Sequence, residues 1–541
     1  MIFTKICLLL LVCCYCHFIQ PSTAFSFENK KRFEYLVNKK RIKNFSIGYS
    51  NNDTTSTAIP LAPALPVGYG PFYIDVPLNH DNNDTGVTFK NRYWINADYY
   101  QPGGPIIFAN AGEAEVKSAS VVLFNTTMAQ LTERLNGIFV YMEHRFYGES
   151  TPVTNNNGVQ DLDKYIPYLS SEQALADMAY LLQTIEFPSE LNVLPVPQTK
   201  VIVYGCSYSG NLAAWMKDKY PDLVFAAVAS SAPVQAQTDF HEYFDPIIRY
   251  GPSDCIRNIR DAIAYIDSIL FGNSTDDIDQ LKKLFGAEGF YDDDFASYLL
   301  NPMAEFWQYG IDDTTNLFEN IMCNKIFKNN NTVQENIIAY AAFLQPYSEQ
   351  TYCDTTNSTD LQPCFDTHNA TSIQEQKLQD PSTASWLWQT CTEFGYFQVA
   401  PPSGEPSIIS RKLAVASMQR LCQLYFGNST NVPELPDTDK TNQIYGGWNI
   451  RSSLQNMIWI DGEWDSWREL SVLSPQINSN SNLANSIILP KSTHCANYAG
   501  ITSESPQYLV DAQNQQFETL KAWLDQANNT TTATKKTMLS I

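Results

Sequence analysis

Basic residues are scarce in this chain. Its 541 residues include 35 Lys and Arg against 57 Asp and Glu, a formal net charge of -22 at pH 7. A phosphate backbone is bound by a basic face, so this balance argues against nucleic acid as a partner. The same excess of carboxylates suits a protein that stays soluble in an acidic compartment. Charged residues of both signs make up only 17%, beside 44% hydrophobic and 13% aromatic residues. That composition describes a globular protein without bias toward disorder, and the aromatics suit large apolar pockets. Long apolar runs are missing beyond the N-terminus, so nothing there spans a membrane. The polar segment 528–541 lacks the apolar stretch of a lipid-anchor signal, which leaves no membrane anchor. No fixed-period repeat is evident, and the reading calls for no metal and no cofactor. Histidine is rare too, at 6 in the whole chain, and that scarcity becomes useful below.

What is present at the N-terminus is a secretory signal over 1–24. Lys5 supplies the positive start, residues 6–19 the short apolar run, and Ser22, Thr23 and Ala24 the small residues after it. Residues 25–58 form a polar leader with basic clusters at 30–32 and 39–41, either a solvated arm or a pro-segment. Four of the 12 cysteines fall in the signal, leaving Cys206, Cys255, Cys323, Cys353, Cys364, Cys391, Cys422 and Cys495. An even set in an exported protein implies disulfides. Sequons such as those at Asn125, Asn273, Asn330 and Asn369 predict N-glycans. The expected location is the extracellular space or the lumen of a lysosome or vacuole.

Short apolar runs alternate with helical patterns over 59–240. Strands are expected at 72–78, 87–95, 106–109, 138–142, 201–204 and 225–228, with a helix over 171–184. This alternation implies a parallel sheet in an α/β fold. Residues 241–445 instead carry helical stretches and six of the mature cysteines. A connection that long cannot be a loop in a compact domain, so it reads as a mostly helical inserted cap. The α/β signal resumes over 446–527, with strands at 456–460 and 486–489 and a closing helix over 507–526. Residues 528–541 read as a disordered tail.

The chain is organised around Gly205-Cys206-Ser207-Tyr208-Ser209-Gly210. A strand precedes it and a helix follows, so it reads as a nucleophile elbow with Ser207 pushed out above the sheet. Ser209 departs from the second glycine of that motif, with Gly210 one place later. A serine hydroxyl needs a histidine to take its proton, and the histidine needs a carboxylate to orient it. In an α/β-hydrolase the acid and then the histidine follow the serine. Only His241, His368 and His494 follow Ser207. His241 leaves no room for an acid-bearing strand, and His368 lies in the polar insertion. His494 stands just past the last expected strand. The acid belongs to the loop after Ile460, where Asp461, Glu463 and Asp465 compete and position does not choose. The backbone N–H of Tyr208 is the expected oxyanion donor, and the loop at Gly112 and Glu113 the place for a second.

Several motifs in order resemble the serine peptidases of the prolylcarboxypeptidase and dipeptidyl peptidase II family. They are the elbow itself, Glu143-His144-Arg145-Phe146-Tyr147-Gly148-Glu149-Ser150, Ser171-Glu172-Gln173-Ala174-Leu175-Ala176-Asp177, Asp465-Ser466-Trp467 and Phe89-Lys90-Asn91-Arg92-Tyr93-Trp94. The resemblance implies an α/β-hydrolase with a large helical cap, of the lysosomal Pro-X carboxypeptidase type. It implies cleavage of peptides after proline, near a peptide end. It selects Asp465 as the acid, with Ser466 a departure from the family's proline. It also puts Trp467, with Tyr208, at the substrate pocket. The rivals are a prolyl endopeptidase, a lipase or carboxylesterase on the same fold, and an inactive hydrolase kept for binding. Cys206 and Cys495 flank the paired serine and histidine, so they lie close. They either form a disulfide or leave Cys206 as a small buried thiol.

Overall fold

The structure, a computed structural model, describes residues 68–538 apart from 82–85, 153–161, 312–314, 352–360, 428–431, 478–482 and 484. The expected signal and leader segments lie outside the described residues. In chain order the strands are β1 (Phe72–Pro77), β2 (Thr88–Asn96), β3 (Ile106–Asn110), β4 (Ile138–Met142), β5 (Val201–Cys206), β6 (Val224–Ser230), β7 (Gln237–Asp239), β8 (Gly395–Phe397), β9 (Met457–Gly462) and β10 (Ser486–Leu489). Eight of them form one sheet in the order β1-β2-β4-β3-β5-β6-β9-β10. Only β2 runs against its neighbours; from β4 across to β10 every pairing is parallel. This topology is that of an α/β-hydrolase. Strands β3, β4, β5 and β9 are buried at every position. Their unbroken apolar runs follow, because helices cover both faces of a parallel sheet.

The helices that matter here are α1 (Ser171–Thr184), α2 (Tyr208–Lys219), α3 (Ser253–Leu270), α4 (Asp292–Gln308), α5 (Val333–Thr351), α6 (Pro381–Gln389), α7 (Val415–Phe426) and α8 (Gln507–Met538). Helices α3 to α7 all fall between β6 and β9, which are hydrogen-bonded neighbours in the sheet. The chain therefore leaves the sheet after β6, builds a helical body, and returns beside the strand it left. Disulfides Cys255–Cys323 and Cys391–Cys422 lie within that body. Cys364 is disulfide-bonded as well. No helix among the described residues is long and apolar enough to cross a membrane.

Helix α8 corrects one expectation: it continues to Met538 instead of ending near 526 before a disordered tail. Extending an established helix fixes one residue per added hydrogen bond, a far smaller cost than nucleation, so a polar segment can follow the packed one.

Helix α1 is held by a carboxylate from the helical body. Glu393 accepts the Ser171 N–H at 3.0 and 3.1 Å and also the Ser171 hydroxyl. It thereby satisfies an N–H that has no partner within the helix. Burial pushes the Glu393 carboxyl up to about 7, against the hydrogen bonds from Ser171. A folded value above the unfolded one means that the folded state holds the proton longer. The associated stability is present below the unfolded value of about 4.5 and is lost as pH rises through 7. His144, lowered to about 4 by burial, acts in the opposite direction, so the Glu393 effect must be read by difference. The melting temperature of Glu393→Gln minus that of the wild type is expected to grow between pH 4.5 and 7.5. A difference independent of pH would contradict the assignment.

Candidate active site

Four loops at the C-terminal ends of β3, β5, β9 and β10 converge on one point, the place where parallel sheets bind ligands. Ser207 follows β5 with φ 60° and ψ -136°, a conformation that a side chain rarely adopts. Its neighbours explain how it is held. A Cβ on Gly205 would lie 2.0 Å from the Ser209 carbonyl oxygen, and one on Gly210 would lie 2.8 Å from that of Ser230. Both positions therefore require glycine. Ser209 does not, and its hydroxyl donates to the Asn110 carbonyl at 2.5 Å. The departure from the motif thus ties the elbow to the loop after β3.

His494 Nε2 lies 2.9 Å from Ser207 Oγ. Its Nδ1 lies 3.0 and 2.9 Å from the two carboxylate oxygens of Asp465. His494 and Asp465 are enclosed, 7% and 1% exposed, while Ser207 is half-buried. The three competing acids now separate. Asp461 faces away, accepting the Ser471 hydroxyl at 2.5 Å, and burial raises its carboxyl well above the ordinary range. Glu463 accepts the Lys491 N–H at 2.9 Å. Only Asp465 reaches the histidine, and its Oδ1 also accepts the Trp467 N–H at 2.9 Å. The other candidate histidines lie elsewhere: His241 beside Asp239, and His368 beside Asp293 in the helical body. Cys206 and Cys495 form a disulfide with Cα atoms 5.9 Å apart. The bridge tethers the histidine loop to the elbow.

This geometry suits acyl transfer, and the comparisons agree with it. Residues 77–516 match the family described as Serine carboxypeptidase S28. The chain belongs to that family. It is a serine-type peptidase, a hydrolase acting on peptides. Among its relatives, a "Probable extracellular serine carboxypeptidase" of Arthroderma benhamiae is 28% identical over 83% of this chain and 67% of its own length. "Serine protease vicPb" of Bipolaris victoriae is 30% identical over 73% and 77%, and the "Thymus-specific serine protease" of Homo sapiens is 26% identical over 86% and 88%.

Beside this S28 core, Tyr208 and Gly112 have partners of their own. Tyr208 begins α2, so its backbone N–H has no acceptor within the helix. Its side chain is 1% exposed and packs against His144, Trp386 and Phe394. The Gly112 N–H is already given to Asn110 Oδ1 at 2.9 Å, because its φ of 68° turns the loop back on itself. Glu113, the next residue, is half-buried. Burial raises its carboxyl, while its own backbone N–H and the nearby His494 lower it.

Trp467 is 7% exposed, its ring centroid 6.1 Å from that of His494. Phe240, Tyr243 and Tyr396 surround it, and its indole N–H donates to Gln308 Oε1 at 3.1 Å. Trp464 instead stacks on Trp307 and Tyr250, a packing role. Ser466 opens a short helix at a position that also accepts proline, and its buried hydroxyl has no partner among the described residues. Gln308 and Tyr309, at the end of α4, were not visible as site residues in the sequence. Tyr309 is 37% exposed with its ring 6.3 Å from that of His494. Only the return of a distant helix onto the sheet places it there, and no motif marks it.

Proposed function

We propose that this S28 peptidase is exported, to the extracellular space or a lysosome-like lumen, and hydrolyses peptide bonds after proline near a peptide terminus. Ser207 is the nucleophile, His494 the general base and Asp465 its orienting acid, with residues 241–445 as the cap. The observation that carries the reading is the unbroken contact from Asp465 through His494 to Ser207 Oγ. Export is supported by the disulfides Cys206–Cys495, Cys255–Cys323 and Cys391–Cys422, by the expected N-terminal signal, and by exposed sequon asparagines such as Asn125, Asn273 and Asn330, which suit N-glycans.

Asp465 holds His494 with Nδ1 protonated, which leaves Nε2 free to take the Ser207 proton. Oγ then attacks the substrate carbonyl carbon, and the Tyr208 N–H faces the oxygen on which charge develops. Collapse breaks the C–N bond, and His494 passes the proton to the departing amine. The acyl-enzyme remains. Water attacks it with His494 again as base, releasing the acid and restoring Ser207.

Proline preference rests on the family resemblance and on Trp467 beside the histidine, since an indole face suits a pyrrolidine ring. Trp467→Ala is expected to lower kcat/KM about tenfold or more for proline at the cleaved bond, and clearly less for alanine. Equal losses on both substrates would remove Trp467 from the pocket. Peptides with free and blocked ends test the reading as a whole. Cleavage of free-amine X-Pro substrates, or of N-blocked Pro-X with a free carboxylate, supports an exopeptidase. Cleavage only of peptides blocked at both ends means an endopeptidase. Hydrolysis of esters alone would overturn the peptidase reading.

A further inference from the structure

The segment Glu143-His144-Arg145 lies one layer below the nucleophile, and His144 has no part in the steps above. It is wholly buried, as are Tyr147 and Gln389, and Tyr208 is 1% exposed. Four side chains form a hydrogen-bond chain whose every proton is assigned. His144 Nδ1 faces the Arg145 carbonyl at 2.7 Å, so Nδ1 carries the hydrogen. Nε2 is then an acceptor, and it lies 3.1 Å from the Tyr208 hydroxyl, which donates to it. That hydroxyl accepts Gln389 Nε2–H at 2.8 Å, and Gln389 Oε1 accepts the Tyr147 hydroxyl at 2.6 Å. Burial lowers His144 to about 4, so the ring stays neutral and its acceptor nitrogen remains available.

The chain joins distant parts of the sequence. His144 follows β4 of the sheet, whereas Gln389 ends α6 in the inserted body. Between them stands Tyr208, whose ring also meets Trp386 and Phe394 from the inserted body, each at 5.3 Å. Tyr208 is thus gripped from the sheet on one side and from the cap on the other. Its backbone N–H is the one that faces the scissile carbonyl in the function proposed above.

We propose that His144 and Gln389 are positioning residues for the oxyanion hole. Together they fix the Tyr208 side chain, and through it the N–H at the start of α2, so that the elbow is complete only with α6 seated. This rests on Ser207 as the nucleophile. An oxyanion donor acts where charge develops, so displacing it lowers kcat and leaves ground-state binding alone.

The test compares Gln389→Met, Tyr208→Phe, His144→Leu and His144→Gln in the full-length protein, with rates normalised to sites titrated by a fluorophosphonate. Gln389→Met, Tyr208→Phe and His144→Leu are expected to lose about tenfold or more in kcat with KM within about twofold. Affinity for a peptide aldehyde, which forms a tetrahedral adduct, should fall in step with kcat. His144→Gln keeps an acceptor near Nε2 and should recover most of the rate. Gln389→Met with Tyr208→Phe should cost less than the two singles combined, because both break one link. Wild-type kcat in folded Gln389→Met or Tyr208→Phe would overturn the proposal and leave the triad standing. Full activity in Ser207→Ala would overturn the nucleophile and this proposal with it.

Discussion

Ser207→Ala and His494→Ala are each expected to lower kcat by roughly 10³-fold or more, with the protein still folded. Each removes a group from the contact that runs from Asp465 to Ser207 Oγ. The alanine enzymes lack either the atom that attacks or the base that takes its proton. Asp465→Asn should be similarly damaging, because an amide cannot hold the histidine in the tautomer with Nε2 free. Asp461→Asn and Glu463→Gln are the informative controls. Asp461 is hydrogen-bonded to Ser471 and Glu463 to the Lys491 backbone, so neither touches His494. Both variants should keep kcat within a few-fold of the wild type. A crippled Asp461→Asn beside an active Asp465→Asn, measured on one peptide substrate, would reassign the acid.

Arg145→Met is expected to give the largest loss of stability, about 3–5 kcal/mol. Arg145 is fully buried and grips Asp177 with two parallel bonds, Nε to Oδ2 at 2.6 Å and Nη2 to Oδ1 at 2.7 Å. Its remaining hydrogens go to the carbonyls of Pro77, Leu78 and Tyr168. Burial alone would raise the Asp177 carboxyl, yet Arg145 and His80 hold it below the ordinary carboxylate range. The depressed carboxyl stabilises the fold above the unfolded value of about 3.9, and that contribution is lost as pH falls through the folded one. Removing Arg145 leaves a buried charge and three carbonyls without their donor. Urea unfolding should therefore show a much lower midpoint, or the variant should fail to accumulate as folded protein. Arg145→Met combined with Asp177→Leu should recover part of the loss, since no unpaired charge remains. A wild-type midpoint for Arg145→Met would mean that water replaces the guanidinium.

Much of the fold was legible because its signals are local. All eight strands of the sheet lie where short apolar runs predicted them, and α1 spans 171–184 as expected. A strand buried on both faces has to be an unbroken apolar run, and glycine is obligatory at Gly205. Chain order also carried information, since it led to His494 among so few histidines. Position could not separate Asp461 from Asp465, because both stand near the end of one strand and what each side chain meets is decided by distant partners. The partners of Tyr208 and Gly112 were not legible for a related reason. Motif position puts a residue at the site, but what its N–H or side chain meets depends on partners such as Asn110 Oδ1 and Gln389. Gln308, Tyr309 and Gln389 were invisible, since each comes from the insertion, whose path back over the sheet has no short-range signature. The same limit applied to the disulfide. Proximity of Cys206 and Cys495 followed from the serine and histidine, whereas the orientation that permits a bond did not.

The central claim is that Ser207 is the nucleophile. Its most direct test is fluorophosphonate labelling of the purified protein, followed by peptide mapping. One equivalent should attach to the elbow peptide at Ser207, peptidase activity should fall in proportion to labelling, and Ser207→Ala should take up none. Stoichiometric label on Ser209 or another residue, or full peptidase activity in protein labelled at Ser207, would contradict the account.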